Sequence, residues 1–210
     1  MPPTPRPFTA RHVHLSRAVL AAVAAVMITF TPDHSAAVGM AVFGGFGIAT
    51  GLVLILSAVI VFDEGRRWPM VVMGALSTVL GMAASVPSFR TDTVFFVLVI
   101  VWAATTGLVE LLAGIRFRGQ VGARDAIVTG SLGLLLALVL LLIPAGFVQE
   151  YTTPQGEAAL TGIIIGVGLF GGYAAIVAVF QAIAGLTPDA TKKVEADASA
   201  DHLADHGGHA

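Results

Sequence analysis

Six long apolar stretches, separated by short polar turns, run through the 210-residue chain: Ala18–Thr31, Ala36–Phe62, Trp68–Pro87, Thr93–Ile115, Ala126–Val148 and Leu160–Leu186. A helix of about 20 apolar residues covers the roughly 30 Å of hydrocarbon in a bilayer. Backbone polar groups in lipid must be satisfied within the protein, and a helix does this segment by segment. The pattern therefore predicts an all-α, six-helix transmembrane bundle in contact with a lipid bilayer. The connections TPDHS, DEGRR, SFRTD, RFRGQVGARD and QEYTTPQGEA are too short to hold a soluble domain. Short connections also make consecutive helices antiparallel neighbours.

The charges strengthen this picture. Folding the chain back and forth through the six stretches places Arg6, Arg11, Arg17, Arg66, Arg67, Arg116, Arg118, Arg124, Lys192 and Lys193 on one side and Arg90 alone on the other. Basic residues in short loops stay in the cytoplasm, so both termini are expected there. Three regions result: a loose N-terminus over 1–14, a transmembrane domain over 15–186, and a polar, Asp- and His-containing tail over 187–210. The first stretch has a second reading, as a signal sequence cleaved near Ser35-Ala36-Ala37. The uncleaved helix is favoured, because Pro32, Asp33 and His34 interrupt the signal pattern and the helix completes an even number of crossings.

Only 11% of residues are charged, against about 25% in soluble domains. The net charge of −2 says little, since the charges are segregated. There is no cysteine, which removes thiolate chemistry and disulfides. No basic stripe with interleaved aromatics points to nucleic acid. No phosphate-cradling loop points to a nucleotide, and no motif of the common hydrolases is present. The expectation is a non-enzymatic protein without a cofactor.

A repeat underlies the pattern. The odd-numbered helices end at Pro32, Pro87 and Pro144, and Gly74 and Gly81 match Gly130 and Ala137 at an offset of 56. The even helices align through GLVLILSAVI around Leu54, GLVELLAGI around Glu110 and AVFQAIAGL around Gln181. The unit reads as a helix hairpin of 56 residues, present three times, with a degenerate first copy. The run WPMVVMGALSTVLGMAASVP, then GLVELLAGIRFRG, then a second Gly-rich helix ending LLIP, resembles the HdeD-type acid-resistance membrane proteins. The likeness covers about residues 18–186. It implies a six-helix protein of the bacterial inner membrane linked to acid or envelope stress tolerance, and it supplies no catalytic mechanism.

Glu110 is the one acidic residue inside an expected membrane helix. A carboxylate there costs about 2.5–3.5 kcal/mol on insertion scales, so such groups face protein or water. Ala103, Thr106, Gly107, Ala113 and Gly114 share its helix face, and small faces let helices approach closely. Leu54 and Gln181 carry similar small-residue stripes. Helices two, four and six are therefore expected to line the interior, with Glu110 near Gln181. Glu110 then has two roles to choose between: a proton-titratable site in a small-solute or proton-coupled transporter or channel, or a hydrogen-bond partner for Gln181, Thr106 or a loop arginine. It lies six residues from Arg116, about 9 Å along a helix, which favours the second.

Glycines Gly47, Gly51, Gly107, Gly114, Gly162, Gly166, Gly168 and Gly172 are the candidate packing positions. The spacings Gly47/Gly51, Gly162/Gly166 and Gly168/Gly172 suit either a homo-oligomer or packing within the chain, and the second is favoured. In the tail, His202, His206 and His209 have a spacing that suits a weak metal site, against which Gly207 and Gly208 argue. Asp33, His34, Asp92, Glu150 and Glu157 cluster on the far side near Arg90; a pH-sensitive outer face is one reading of them, and solvation alone is favoured. A scaffold whose loops and tail recruit partners is the third functional reading.

Overall fold

The computed structural model describes residues 8–62, 65, 67–120, 122–154 and 156–187. Six helices follow one another: α1 (Ala10–Phe30), α2 (Ala36–Ile60), α3 (Trp68–Ser85), α4 (Asp92–Arg116), α5 (Ala123–Leu141) and α6 (Gly162–Leu186). All six are long and apolar enough to cross a bilayer. Large side chains such as Val19, Leu52, Val59, Val79, Leu138 and Val179 project outward. An apolar outer surface of this extent belongs against lipid, which makes the chain a multi-pass membrane protein.

The helix ends have local causes. α1 begins eight residues before the expected stretch, because Thr9 caps it: the Thr9 N–H donates to His12 Nδ1 at 3.2 Å. Pro69 lies in the first turn of α3, where its missing N–H leaves no bond unmade. Thr91 caps α4 by accepting from the Val94 N–H at 3.3 Å. α5 follows Gly122, whose φ of +83° requires glycine. It stops at Leu141, short of the expected Val148, since Pro144 cannot continue it. Between α5 and α6 the expected loop is an antiparallel hairpin, β1 (Val148–Thr153) with β2 (Gly156–Thr161).

The closest helix pairs are α2 with α3, α4 with α5, and α1 with α6. The sequence units pair each odd helix with the next even one, whereas the tightest packing joins each even helix to the following odd one. The first and last helices close the ring. A Cβ placed on Gly114 would lie 2.7 Å from Ile127 and 2.8 Å from the Ala123 carbonyl oxygen. One on Gly185 would lie 2.8 Å from Leu15 and 3.3 Å from the Arg11 carbonyl oxygen. These are the same contact a third of the way round, since Leu15, Val71 and Ile127 are spaced 56 apart. The triplication is thus visible in packing as well as in sequence.

The even helices are the inner ones. Between 44% and 50% of the apolar window of each is buried, against 33% in each odd helix. Where they meet, Phe43 and Phe46 of α2, Trp102 of α4, and Phe170 and Tyr173 of α6 form a layer of edge-to-face rings. Centroids lie 5.6 Å apart for Phe43–Trp102, Phe46–Trp102 and Phe43–Phe170, and 5.9 Å apart for Trp102–Tyr173. The Trp102 Nε1–H donates to the buried Ser77 hydroxyl at 3.0 Å, tying the layer to α3.

Candidate functional site: a charged pair at the floor of a one-sided cavity

Arg17 and Glu110 meet inside the bundle. Arg17 Nη1 donates to Glu110 Oε1 at 2.8 Å, and Nη2 donates to Oε2 at 3.4 Å. Their side chains are 11% and 8% exposed, so the pair is largely out of water. Two parallel charge-assisted bonds are the geometry in which a guanidinium and a carboxylate compensate each other best. One turn earlier on α1, His14 Nδ1 donates to the side-chain oxygen of Gln181. Gln181 is 1% exposed, and its partner is His14 rather than Glu110. Tyr173 lies within electrostatic range of both Arg17 and Glu110.

His14, Arg17, Glu110 and Gln181 form the inner end of a cavity of about 880 Å³. Its walls come from the start of α1, the end of α2, the starts of α3 and α5, and the ends of α4 and α6. Those are the helix ends that carry most of the arginines. Toward the other end of the bundle, Trp102 precedes Glu110 by eight residues and Tyr173 precedes Gln181 by eight, about 12 Å along each helix. The cavity thus enters from the basic end and ends on the charged pair, and the aromatic layer crosses the axis beyond it.

The repeat shows what is special here. Arg17, Met73 and Thr129 are equivalent on the odd helices, and Leu54, Glu110 and Gln181 on the even ones. Leu54 and Met73 are 1% and 2% exposed and apolar, and the buried Thr129 hydroxyl is spent on the Asp125 carbonyl oxygen of its own helix, so the same register carries no charge elsewhere in the ring. Polar groups have gathered in the sector between α1, α4 and α6.

Of the residues expected from sequence, Glu110 and Gln181 line this one cavity without bonding each other. The arginine that meets Glu110 is on a helix, not in a loop. His14, Arg17 and Tyr173 were not expected. A signal existed for Arg17: Ala21, Ala24 and Ile28 lie four, seven and eleven residues on, a small and apolar face that turns inward.

The glycines divide. Gly47, Gly51, Gly107, Gly114, Gly162 and Gly166 pack against neighbouring elements of the same chain. Gly168 and Gly172 are exposed on α6, and a Cβ on either would meet nothing within 4 Å. His202, His206 and His209 lie outside the described residues, as do Arg6, Arg66, Lys192 and Lys193.

One buried polar group lacks a partner among the described residues. The Thr50 hydroxyl is buried without a hydrogen bond, whereas its repeat counterpart Thr106 donates to the Trp102 carbonyl oxygen at 2.6 Å. Thr50→Val keeps the shape and removes an unsatisfied hydroxyl. It is expected to leave thermal unfolding in detergent unchanged or to stabilise by about 1 kcal/mol. A lower unfolding temperature would show that the hydroxyl has a partner after all.

Comparison of the chain with protein-family models, with curated proteins and with solved structures finds no match.

Proposed function

We propose that the chain is a non-enzymatic protein of the bacterial inner membrane, of the HdeD type that its sequence pattern resembles, with both termini in the cytoplasm. In this reading it supports tolerance of acid or envelope stress by taking a small solute into the cavity from the cytoplasmic side. The observation that carries the solute site is the Arg17–Glu110 pair, placed at the inner end of an 880 Å³ cavity. Ligand sites commonly enclose about 300–1,000 Å³, with apolar walls and a few placed polar groups. The positive-inside rule supports the orientation. The resemblance alone supports the stress role.

The chain has no cysteine, so single-cysteine variants report without background. Ala184→Cys and Ala126→Cys line the cavity, whereas Ala137→Cys lies toward the other end of α5. A small, membrane-impermeant thiol reagent is expected to label the first two in inverted membrane vesicles and not in intact spheroplasts. Labelling from the periplasmic side would reverse the orientation. The physiological role is tested separately, by survival of a deletion strain under acid and envelope stress with and without the restored gene. Equal survival would remove that role.

A second reading, proton-coupled transport through Glu110, is supported by the carboxylate's place at the cavity floor. Its salt bridge with Arg17 argues against it, since both carboxylate oxygens are already engaged by the guanidinium. Proton-driven solute flux in liposomes that Glu110→Gln abolishes would favour this reading.

A further inference from the structure

We infer that the cavity binds an amphiphilic organic anion, a carboxylate with an apolar chain. The inference rests on the solute-binding reading above and adds the chemistry of the solute.

The charges already committed can be set aside. Glu110 uses both carboxylate oxygens on Arg17, and the pair is neutral as a unit. Of the charged groups that remain on the cavity wall, Arg11 and Asp125 form no ion pair among the described residues. Arg11 stands on α1 beside His12, and Asp125 in the first turn of α5. The surroundings break the tie between them. Arg116, Arg118 and Arg124 are exposed at the same end, and Arg124 adjoins Asp125. Their summed field offsets the Asp125 carboxylate and draws anions toward the mouth.

The hydrogen-bonding groups point the same way. His12 Nδ1 accepts from the Thr9 N–H, so the neutral ring carries its proton on Nε2 and is a donor there. Gln181 has its oxygen occupied by His14, which leaves its amide NH₂ as donor. Arg11 adds a planar fork of donors that matches a carboxylate. The uncommitted groups of α1 and α6, which pack side by side, are thus mostly donors. Most of the rest of the wall is apolar, with Val13, Phe62, Met70 and Phe117 among it, and suits a hydrocarbon chain.

The test uses the full-length protein in nanodiscs of zwitterionic lipid. Saturable binding of octanoate, octanol and octylammonium is measured by equilibrium dialysis, with empty nanodiscs subtracted. Octanoate is expected to bind best. Arg11→Gln should weaken it about tenfold while leaving octanol unchanged, and Arg11→Lys should restore part of the loss. Arg11 is exposed, so these variants retain the fold. Tighter binding of octylammonium, lost in Asp125→Asn, would overturn the inference by assigning the site to cations. Equal binding of octanoate and octanol, both indifferent to Arg11, would also overturn it while leaving a solute-binding cavity. Saturable binding of none of the three would overturn the inference and the solute-binding reading together.

Discussion

Arg17→Met alone is expected to be among the most damaging single changes in the protein, and Arg17→Met with Glu110→Leu is expected to reverse most of the damage. Removing the guanidinium leaves a carboxylate 8% exposed with its charge uncompensated. Breaking a buried ion pair from one side costs about 3–5 kcal/mol, because the remaining ion keeps its desolvation penalty and loses its partner. The double replacement removes both charges. It installs the residue types that the repeat already carries at equivalent positions, Met73 and Leu54, each almost fully buried. Replacing a whole buried pair by apolar groups of similar volume is often neutral or stabilising. Unfolding in detergent, followed by loss of helical circular dichroism, gives both numbers. If the double variant is as unstable as the single one, the pair is not exchangeable for apolar packing and its environment must be polar for another reason. If the double variant is stable but no longer binds the solute, the pair is retained for binding rather than for folding.

That thermodynamic cycle also shows why part of the site could be read from sequence and part could not. A lone carboxylate in an apolar stretch stands out, so Glu110 was legible, and so was its small-residue face. Its partner was hidden by the location of Arg17. An arginine before a short apolar run reads as a topology marker, and in α1 it does occupy the basic end of the bundle. The capping interaction between Thr9 and His12 starts the helix at Ala10, so Arg17 lies within it, on the face that Ala21, Ala24 and Ile28 turn inward. Local hydrogen bonds of this kind leave little trace in hydropathy. The six crossings and the inner position of the even helices followed from apolar length and small-residue stripes, which report burial directly. The pairing of α1 with α6 did not, because it joins the two ends of the chain and needs the ring to close. The hairpin of β1 and β2 was read as a loop, since its strands are short, exposed and mostly polar.

Gly130→Ala and Gly168→Ala, the same substitution on two membrane helices, are expected to have opposite consequences. At Gly130 the new methyl would stand 2.5 Å from the Leu111 nitrogen and 2.7 Å from the Gly107 carbonyl oxygen. Both are backbone atoms of α4, so no side chain can turn away and the two helices must separate. Loss of a close helix crossing over several turns costs about 1–3 kcal/mol or more, as overpacking does elsewhere. In a membrane the loss is felt fully, since helix association there depends on close van der Waals contact. The repeat makes the effect general: Gly74 on α3 would meet the Gly51 carbonyl oxygen at 2.8 Å, and Gly74→Ala should behave like Gly130→Ala. At Gly168 a methyl meets nothing within 4 Å, and alanine is the better helix former by about 1 kcal/mol. Gly168→Ala should therefore be neutral or slightly stabilising for the isolated chain. Thermal unfolding of the purified variants separates the cases. A Gly168→Ala variant that unfolds at the temperature of the parent in dilute detergent, yet loses stability gained by the parent at high protein concentration, would reveal that the outer face of α6 meets a second copy. A Gly130→Ala variant as stable as the parent would show that α4 and α5 are not held by the backbone contact on which the threefold ring depends.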